Sequence, residues 1–211
     1  MNEVRRHIPN VRVDANGGWS VDEAITALRA ITDDGELEYA EQPCASVEEL
    51  VRVRAAGGPV CGSLPTRAFA VPRTRCASYE RGGADVAVVK VPPLGGMRAV
   101  VALSAQLADY GVPVVVSSAL DTAVGMSAGL AAAAALPTFR LPADSVPAAC
   151  SSGMSRSPGA AVDGALSVGA VEPDPVLLET LAAPADRRDW WLERARRCHR
   201  ILGSRDQPNF V

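Results

Sequence analysis

The stretch VRVDANGGWS, residues 11–20, decides our interpretation of the fold. It contains a short β-branched run, then the carboxylate Asp14, then a break at Gly17–Gly18 and a helix start at Ser20. Glu23 follows Ser20 by three residues, which completes a capping box. Parallel α/β folds carry their chemistry at the carboxyl ends of strands. The stretch therefore predicts a βα unit whose functional end is at Asp14.

The same order of strand, loop and helix recurs along the chain. A second strand is predicted from Leu37 to Pro43 and contains Glu41 near its end. The continuous apolar run from Val86 to Val91 is typical of a strand buried on both faces, and it contains Lys90. Further strands are predicted at 60–62, 112–116 and 148–150.

Helices are predicted between these strands and after the last of them. Apolar residues at helical spacing and caps place them near 20–32, 46–56, 73–81, 97–110, 124–136 and 187–202, with a loop at 92–96. A repeat of about 20 to 27 residues predicts βα units around a parallel sheet. Such units either close into a barrel or form an open doubly wound sheet, and periodicity does not choose between them.

Composition excludes several classes of function. The 211 residues carry a net charge of −3, so no basic surface for nucleic acid is expected. Five scattered cysteines without Cys-x-x-Cys spacing predict neither a zinc site nor a disulfide framework, and favour a reducing cytoplasm. The N-terminus lacks the apolar segment of a signal peptide, and the apolar run 124–136 is too short to span a membrane.

Strand ends would converge on one mouth if the units close into a barrel. Asp14, Glu41 and Ser63 would then lie with Lys90 and the serine pair 117–118. Two carboxylates from neighbouring strands form a hard-oxygen site of the kind that Mg²⁺ prefers. A lysine across the mouth can move a proton while the metal stabilises an enediolate.

Each of these residues also has a purely structural interpretation. Asp14 can be a turn former, and Glu41 a solvated loop acid. Lys90, the only lysine of the chain, can be half of a buried salt bridge, because an unpaired buried ammonium is costly. Ser117 and Ser118 can be strand-end caps.

Four motifs resemble one known family. The chain is similar to the enolase superfamily and, within it, to the actinobacterial o-succinylbenzoate synthases of menaquinone biosynthesis. The similarity lies in VDANGGW (13–19), EYAEQP (38–43), DVAVVKVPPLGG (85–96) and SSALDT (117–122), with EPDP (172–175) and WW (190–191) in the tail.

The resemblance implies a Mg²⁺-dependent lyase on a modified (β/α) barrel. Its reaction would be dehydration of 2-succinyl-6-hydroxy-2,4-cyclohexadiene-1-carboxylate, a small dicarboxylate, to o-succinylbenzoate. By position, Asp14 and Glu41 would be metal ligands and Lys90 the catalytic lysine across from the proton-transfer base. Asn16 and the serine pair 117–118 would bind substrate.

The chain departs from the family pattern in two ways. The family's Lys-x-Lys, which supplies the catalytic base, has no match here, and Ser63 stands where a third metal-binding aspartate is expected. These departures predict weak or absent activity. Two alternatives to the synthase therefore stay open. One is a non-catalytic remnant that binds a dicarboxylate or a protein partner, and the other is an N-acylamino acid racemase-like enzyme.

The resemblance also predicts the organisation of the chain. Residues 1–176 would form a partial enolase-type (β/α) barrel, roughly its strands three to eight, without the N-terminal capping domain. Residues 177–211 would form a helical tail that packs on the barrel. Open strand edges in such a barrel would be covered by a homo-oligomer or by a partner that completes it.

Overall fold

The strands form one parallel sheet in a computed structural model. The structure describes residues 2–8, 10–33, 35–57, 60–63, 82–118, 121–137, 162 and 165–203. Within this part of the chain the strands are β1 (Val11–Asp14), β2 (Leu37–Glu41), β3 (Val60–Ser63), β4 (Val86–Lys90) and β5 (Val114–Ser117). They pair in sequential order, each parallel to the next.

The described helices are α1 (Asn2–Arg5), α2 (Val21–Asp33), α3 (Val47–Ala55), α4 (Val91–Leu94), α5 (Met97–Ala108), α6 (Ala123–Ala135), α7 (Pro175–Thr180) and α8 (Ala185–Gly203). The helices near 20–32, 46–56, 97–110, 124–136 and 187–202 lie where they were predicted, whereas three short helices, α1, α4 and α7, were not predicted. The loop predicted at 92–96 was wrong in part, because α4 covers its first residues. Proline is compatible with a first helical turn, where its missing N–H is not needed. The predicted helix at 73–81 and strand at 148–150 lie outside the described residues.

Side-chain caps fix where α2 and α3 begin. The hydroxyl of Ser46 accepts a hydrogen bond from the Glu49 backbone N–H, and the Glu49 carboxylate accepts one from the Ser46 N–H at 2.9 Å. Ser20 and Glu23 make the same exchange before α2. Both predicted capping boxes are confirmed, and each satisfies backbone donors that a helix start leaves unpaired.

Helices cover one face of the sheet. One core cluster joins β1 and β2 to α2 and α3, and a second joins β4 and β5 to α4, α5 and α6. The strand register places both clusters on the same face. Sequential strand order with helices on one face is the pattern of a barrel, since a doubly wound sheet reverses its order and carries helices on both faces.

The opposite face of the sheet, which we call the inner face, also has a buried apolar layer. It contains Tyr39, Val86, Val88 and Val115, each nearly inaccessible to solvent. Residues two further along the same strands, such as Glu41, Lys90 and Ser117, share this face because side chains alternate along a strand. This layer therefore lies directly below the predicted functional residues.

The strand ends shift along the register by an average of one residue per strand across the described sheet. The register partners of Asp14 on successive strands are Glu41, Cys61 and Val86, and Val86 is in register with the residue before Val114. Ser117 therefore lies four residues beyond the level of Asp14 after four strand pairs. One residue per strand corresponds to the shear of about 8 for eight strands in (β/α) barrels.

The C-terminal segment is exposed where the structure describes it. No residue of α7 is buried, and the described side chains of α8 are exposed, including Trp190 and Trp191. The packing of residues 177–211 on the barrel stays a prediction. Among the described residues, no helix is long and apolar enough to cross a membrane.

Candidate metal centre and active site

Asp14 and Glu41 end two neighbouring strands at the same level. They are register partners in the β1–β2 pair, and the ladder continues beyond them because the Ala15 N–H donates to the Glu41 carbonyl at 3.2 Å. Neighbouring strands lie about 4.8 Å apart, so these two side chains are adjacent on one face. We call Asp14 and Glu41 the carboxylate pair.

One oxygen of Asp14 serves the turn that follows β1. The Asn16 backbone N–H donates to Asp14 Oδ1 at 2.8 Å, which is the geometry of an Asx turn. Asp14 therefore does stabilise the turn that follows β1, through one of its two oxygens. Asp14 is exposed, and its second oxygen has no hydrogen-bond partner within the described segments. That oxygen is available to a ligand.

Lys90 and Ser117 end β4 and β5 in the same manner. They are register partners, both half-buried, and we call them the lysine–serine pair. Ser117 Oγ donates to the Ser118 carbonyl at 3.4 Å, a long hydrogen bond. In the part of the chain that the structure describes, Lys90 has no ion-pair or hydrogen-bond partner. The described residues therefore offer no partner for a salt bridge with Lys90.

β3 lies between the two pairs. Its last residue, Ser63, is in register with Val88, which places it two residues short of Lys90 and beyond the level of Glu41. The sheet thus brings Asp14, Glu41, Lys90 and Ser117 to one face at one end. Asn16 lies in the loop that follows β1, with its backbone in the left-handed region at φ 49°.

The donor set fits Mg²⁺ with water completing the coordination. Two adjacent carboxylates are the ligands this ion commonly uses, since Mg²⁺ keeps several waters when bound to protein. The described residues contain no group of three or more His, Cys, Asp or Glu side chains arranged to hold a metal. Among the residues that the structure describes, the site therefore offers the carboxylate pair.

A charged network on the inner face escaped the sequence analysis. Arg12 Nε donates to the Glu38 carboxylate at 2.6 Å, and the Arg12 guanidinium carbon lies 4.9 Å from the centre of the Tyr39 ring. An irregularity in register between Val11 and Arg12 makes Glu38 the extra residue of a β-bulge. The available signal was one charged residue inside each strand, Arg12 in β1 and Glu38 in β2, with opposite signs.

Cys44, just after β2, belongs to the core rather than to the site. Burial raises the pKa of its thiol, and the nearby Glu49 carboxylate raises it further. The thiol therefore stays protonated near neutral pH, which disfavours both nucleophilic and metal-binding roles. Its side chain packs among the residues that join α2 and α3 to the sheet.

The sequential parallel strands, with helices on one face, define the class as a (β/α)-barrel domain. The chain belongs to the family described as enolase C-terminal domain-like, whose sequence profile matches residues 1–173. A curated relative from Mycolicibacterium smegmatis, named o-succinylbenzoate synthase, is 45% identical over 210 residues, or 96% of this chain. The chain spans 61% of that relative's length. The resemblance predicted from the motifs is confirmed.

Solved structures share the fold. An enolase from Pseudomonas fluorescens, with bound magnesium, potassium and tartrate, superposes with a TM-score of 0.71 at 20% identity, over 85% of this chain and 44% of that one. The L-Ala-D/L-Glu epimerase from Bacillus subtilis, in a substrate-liganded complex, gives a TM-score of 0.58 at 28% identity, over 68% and 40%. The enolase-type barrel fold is therefore confirmed.

Proposed function

We propose that this chain carries the metal-binding and lysine-bearing side of an o-succinylbenzoate synthase. The reaction would remove water from 2-succinyl-6-hydroxy-2,4-cyclohexadiene-1-carboxylate. The observation that carries the proposal is the placement of the carboxylate pair and the lysine–serine pair at one end of one sheet face. The 45% identity to a relative with this name supports the choice of reaction.

The carboxylate pair would hold Mg²⁺. The ion would supply positive charge that stabilises an enediolate when the proton next to the substrate carboxylate is removed. Asp14 would contribute the oxygen that the Asx turn leaves available, and Glu41 would contribute its carboxylate from the neighbouring strand. This arrangement accounts for two ligands, and water would complete the coordination sphere.

Lys90 would hold or move the proton on the opposite side of the site. Its ammonium lies at the end of β4, half-buried, where a charged group interacts more strongly with developing negative charge than it would in water. Loss of the ring hydroxyl as water, together with loss of the ring proton, would yield the aromatic product. Ser117, Ser118 and Asn16 would orient the dicarboxylate by hydrogen bonding.

A non-catalytic dicarboxylate-binding function is the second candidate. The observation that favours it is the two-carboxylate donor set, with Ser63 at the end of β3, where the family pattern places an aspartate. A racemase-like function is less supported, because such a reaction needs a lysine on both sides of the substrate and the chain has only Lys90.

Isothermal titration calorimetry with Mg²⁺ tests the proposal first. The chain, an Asp14→Ala variant and an Asp109→Ala control are compared, since Asp109 is an exposed acid at the end of α5. We expect binding by the chain and the control, and loss of binding in Asp14→Ala. Ultraviolet absorbance of the aromatic product then measures dehydration.

The combined outcomes separate the two candidate functions. Dehydration that disappears in Lys90→Met supports the synthase. Metal binding without dehydration supports the dicarboxylate-binding protein, and a Ser63→Asp variant should then bind Mg²⁺ more tightly. Absence of Mg²⁺ binding in all three proteins would refute the metal centre.

A further inference from the structure

The loops that follow β1 and β2 are hydrogen-bonded to each other beyond the strand ends. The Gly17 N–H donates to the Gln42 carbonyl at 2.6 Å, and the Trp19 N–H donates to the Pro43 carbonyl at 3.1 Å. With the Ala15 bond to the Glu41 carbonyl, these bonds continue the parallel ladder from the carboxylate pair almost to the start of α2. We call this set of three backbone bonds the loop ladder.

The loop ladder requires unusual backbone conformations. Gln42 has φ 38° and Asn16 has φ 49°, so two non-glycine residues occupy the left-handed region. That region is sparsely populated because Cβ approaches the backbone carbonyl, and residues stay there only when the surrounding structure requires it. Each of these residues lies within two positions of a member of the carboxylate pair.

Gly17 is the point of closest approach between the two loops. It has φ 71°, and a Cβ placed on it would lie 3.3 Å from the Cα of Ala45 and 3.5 Å from Nε2 of Gln42. The first of these contacts is with backbone, which cannot move aside as a side chain can. A side chain at Gly17 would therefore require the Ala45 backbone to move by a few tenths of an ångström, which strains the loop ladder.

We propose that Gly17 and Gln42 are positioning residues that fix the separation of Asp14 and Glu41 before a metal ion binds. The inference rests on the proposed function, since it gives the carboxylate pair Mg²⁺ as ligand. The left-handed turn at Asn16 also directs its N–H to Asp14 Oδ1, so the same loop orients that carboxylate. A preorganised pair loses less conformational freedom on binding and holds the ion more tightly.

A pair of glycine substitutions tests the proposal. Gly17→Ala is compared with Gly111→Ala, because Gly111 has φ 69° at the end of α5 and nothing lies within 4 Å of a Cβ there. Both variants place an alanine in the left-handed region and lose stability for that reason. Only Gly17→Ala also strains the loop ladder. We expect the Mg²⁺ dissociation constant to rise about 10- to 100-fold in Gly17→Ala and to stay unchanged in Gly111→Ala. Equal affinities in the two variants would overturn the proposal.

Substitutions of Gln42 provide a second test. Gln42→Gly and Gln42→Asn both tolerate the left-handed region, so they should keep the loop ladder and the Mg²⁺ affinity of the chain. Gln42→Val should lower the affinity, because a β-branched residue disfavours that region. An affinity in Gln42→Val equal to that in Gln42→Gly would contradict the proposal.

Amide hydrogen exchange of the metal-free protein separates this inference from the proposed function. The Gly17 and Trp19 amides should be protected in the chain and in Gly111→Ala, and should exchange faster in Gly17→Ala. This measurement involves no metal, so it decides whether the loop ladder holds the loops even if the chain proves not to bind Mg²⁺. Unchanged protection in Gly17→Ala would refute the positioning role.

Discussion

Asp14 and Glu41 are register partners at the last position of two neighbouring parallel strands. Like charges directly opposite each other on neighbouring strands repel, and a cation between them would offset that repulsion. The sheet therefore places two mutually repelling groups where a metal ion would bind. This arrangement has a measurable consequence for the metal-free protein.

The repulsion within the carboxylate pair should appear as a coupling between two substitutions in the metal-free chain. Asp14→Asn keeps the acceptor oxygen for the Asn16 N–H, and Glu41→Gln keeps an acceptor at the end of β2. We expect Asp14→Asn to change the free energy of unfolding more favourably in the chain than in the Glu41→Gln variant, by about 0.2 to 1 kcal/mol. Urea denaturation with chelator measures both changes, and equal effects of Asp14→Asn in the two backgrounds would show that the two carboxylates do not interact.

Lys90 should contribute little to stability. Lys90→Met removes a half-buried ammonium that has no partner among the described residues, so the free energy of unfolding should rise or change by less than about 1 kcal/mol. Arg54→Met is the contrasting variant, because Arg54 binds the Asp85 carboxylate at 2.6 Å and the Gly82 carbonyl at 2.9 Å. It should lose about 1 kcal/mol. A loss above about 2 kcal/mol in Lys90→Met would establish the structural salt bridge instead.

The two faces of β5 should contribute equally to the core. Val115 belongs to the inner layer and Val116 to the layer under the helices, and they are 1% and 2% exposed. We expect Val115→Ala and Val116→Ala each to cost about 1 to 3 kcal/mol, because each deletes two buried methyl groups. Thermal or urea unfolding measures both. A negligible cost at Val115 alone would show that the inner face is not packed in solution.

Stability should fall in acid as the two capping boxes are protonated. Hydrogen bonds from the Ser20 backbone and hydroxyl lower the pKa of Glu23, and those from the Ser46 hydroxyl and backbone lower the pKa of Glu49. A lowered pKa in the folded state means a contribution that is present above the ordinary glutamate pKa of about 4.3 and is lost as pH falls through the folded value.

Glutamine at both positions should flatten this acid dependence. Glu23→Gln with Glu49→Gln keeps the acceptor oxygens but removes the titration, so the double variant should lose less stability than the chain between about pH 5 and pH 3. Glu179→Gln, in the exposed helix α7, controls for loss of charge. If the stability of the chain and that of the double variant fell equally with pH, the acid dependence would not come from Glu23 and Glu49.

Removing the exposed C-terminal segment should leave the barrel intact. Trp190 and Trp191 are 48% and 51% exposed, and α7 has no buried residue. A chain that ends at Asp174 should therefore melt within about 2 to 4 °C of the full chain, with Trp19 as the remaining fluorescent probe. A larger fall in Tm would establish the packing of residues 177–211 on the barrel.

The parts of the fold that depend on local sequence were predictable. The capping boxes at Ser20 and Ser46 and the apolar run before Lys90 act through neighbours within a few residues, so they are visible in sequence. Strand-end residues could be predicted as well, because parallel strands present their carboxyl ends at one edge.

Features that depend on partners distant in sequence were not predictable. The stagger of one residue per strand arises from pairing between strands that are 20 or more residues apart. The bulge that brings Glu38 to Arg12, and the left-handed conformations at Asn16 and Gln42, follow from how two strands and two loops meet. α4 was missed because a Pro-Pro pair is more typical of a turn than of a first helical turn.

This chain is simple to label on an amine because Lys90 is its only lysine. Reagents that acylate or reductively methylate amines can react only there and at the chain terminus. A ¹³C-methyl label on that nitrogen would place a single NMR reporter at the end of β4, beside Ser117. Every change in its chemical shift on adding a cation or a dicarboxylate would report on the mouth of the barrel and on no other lysine.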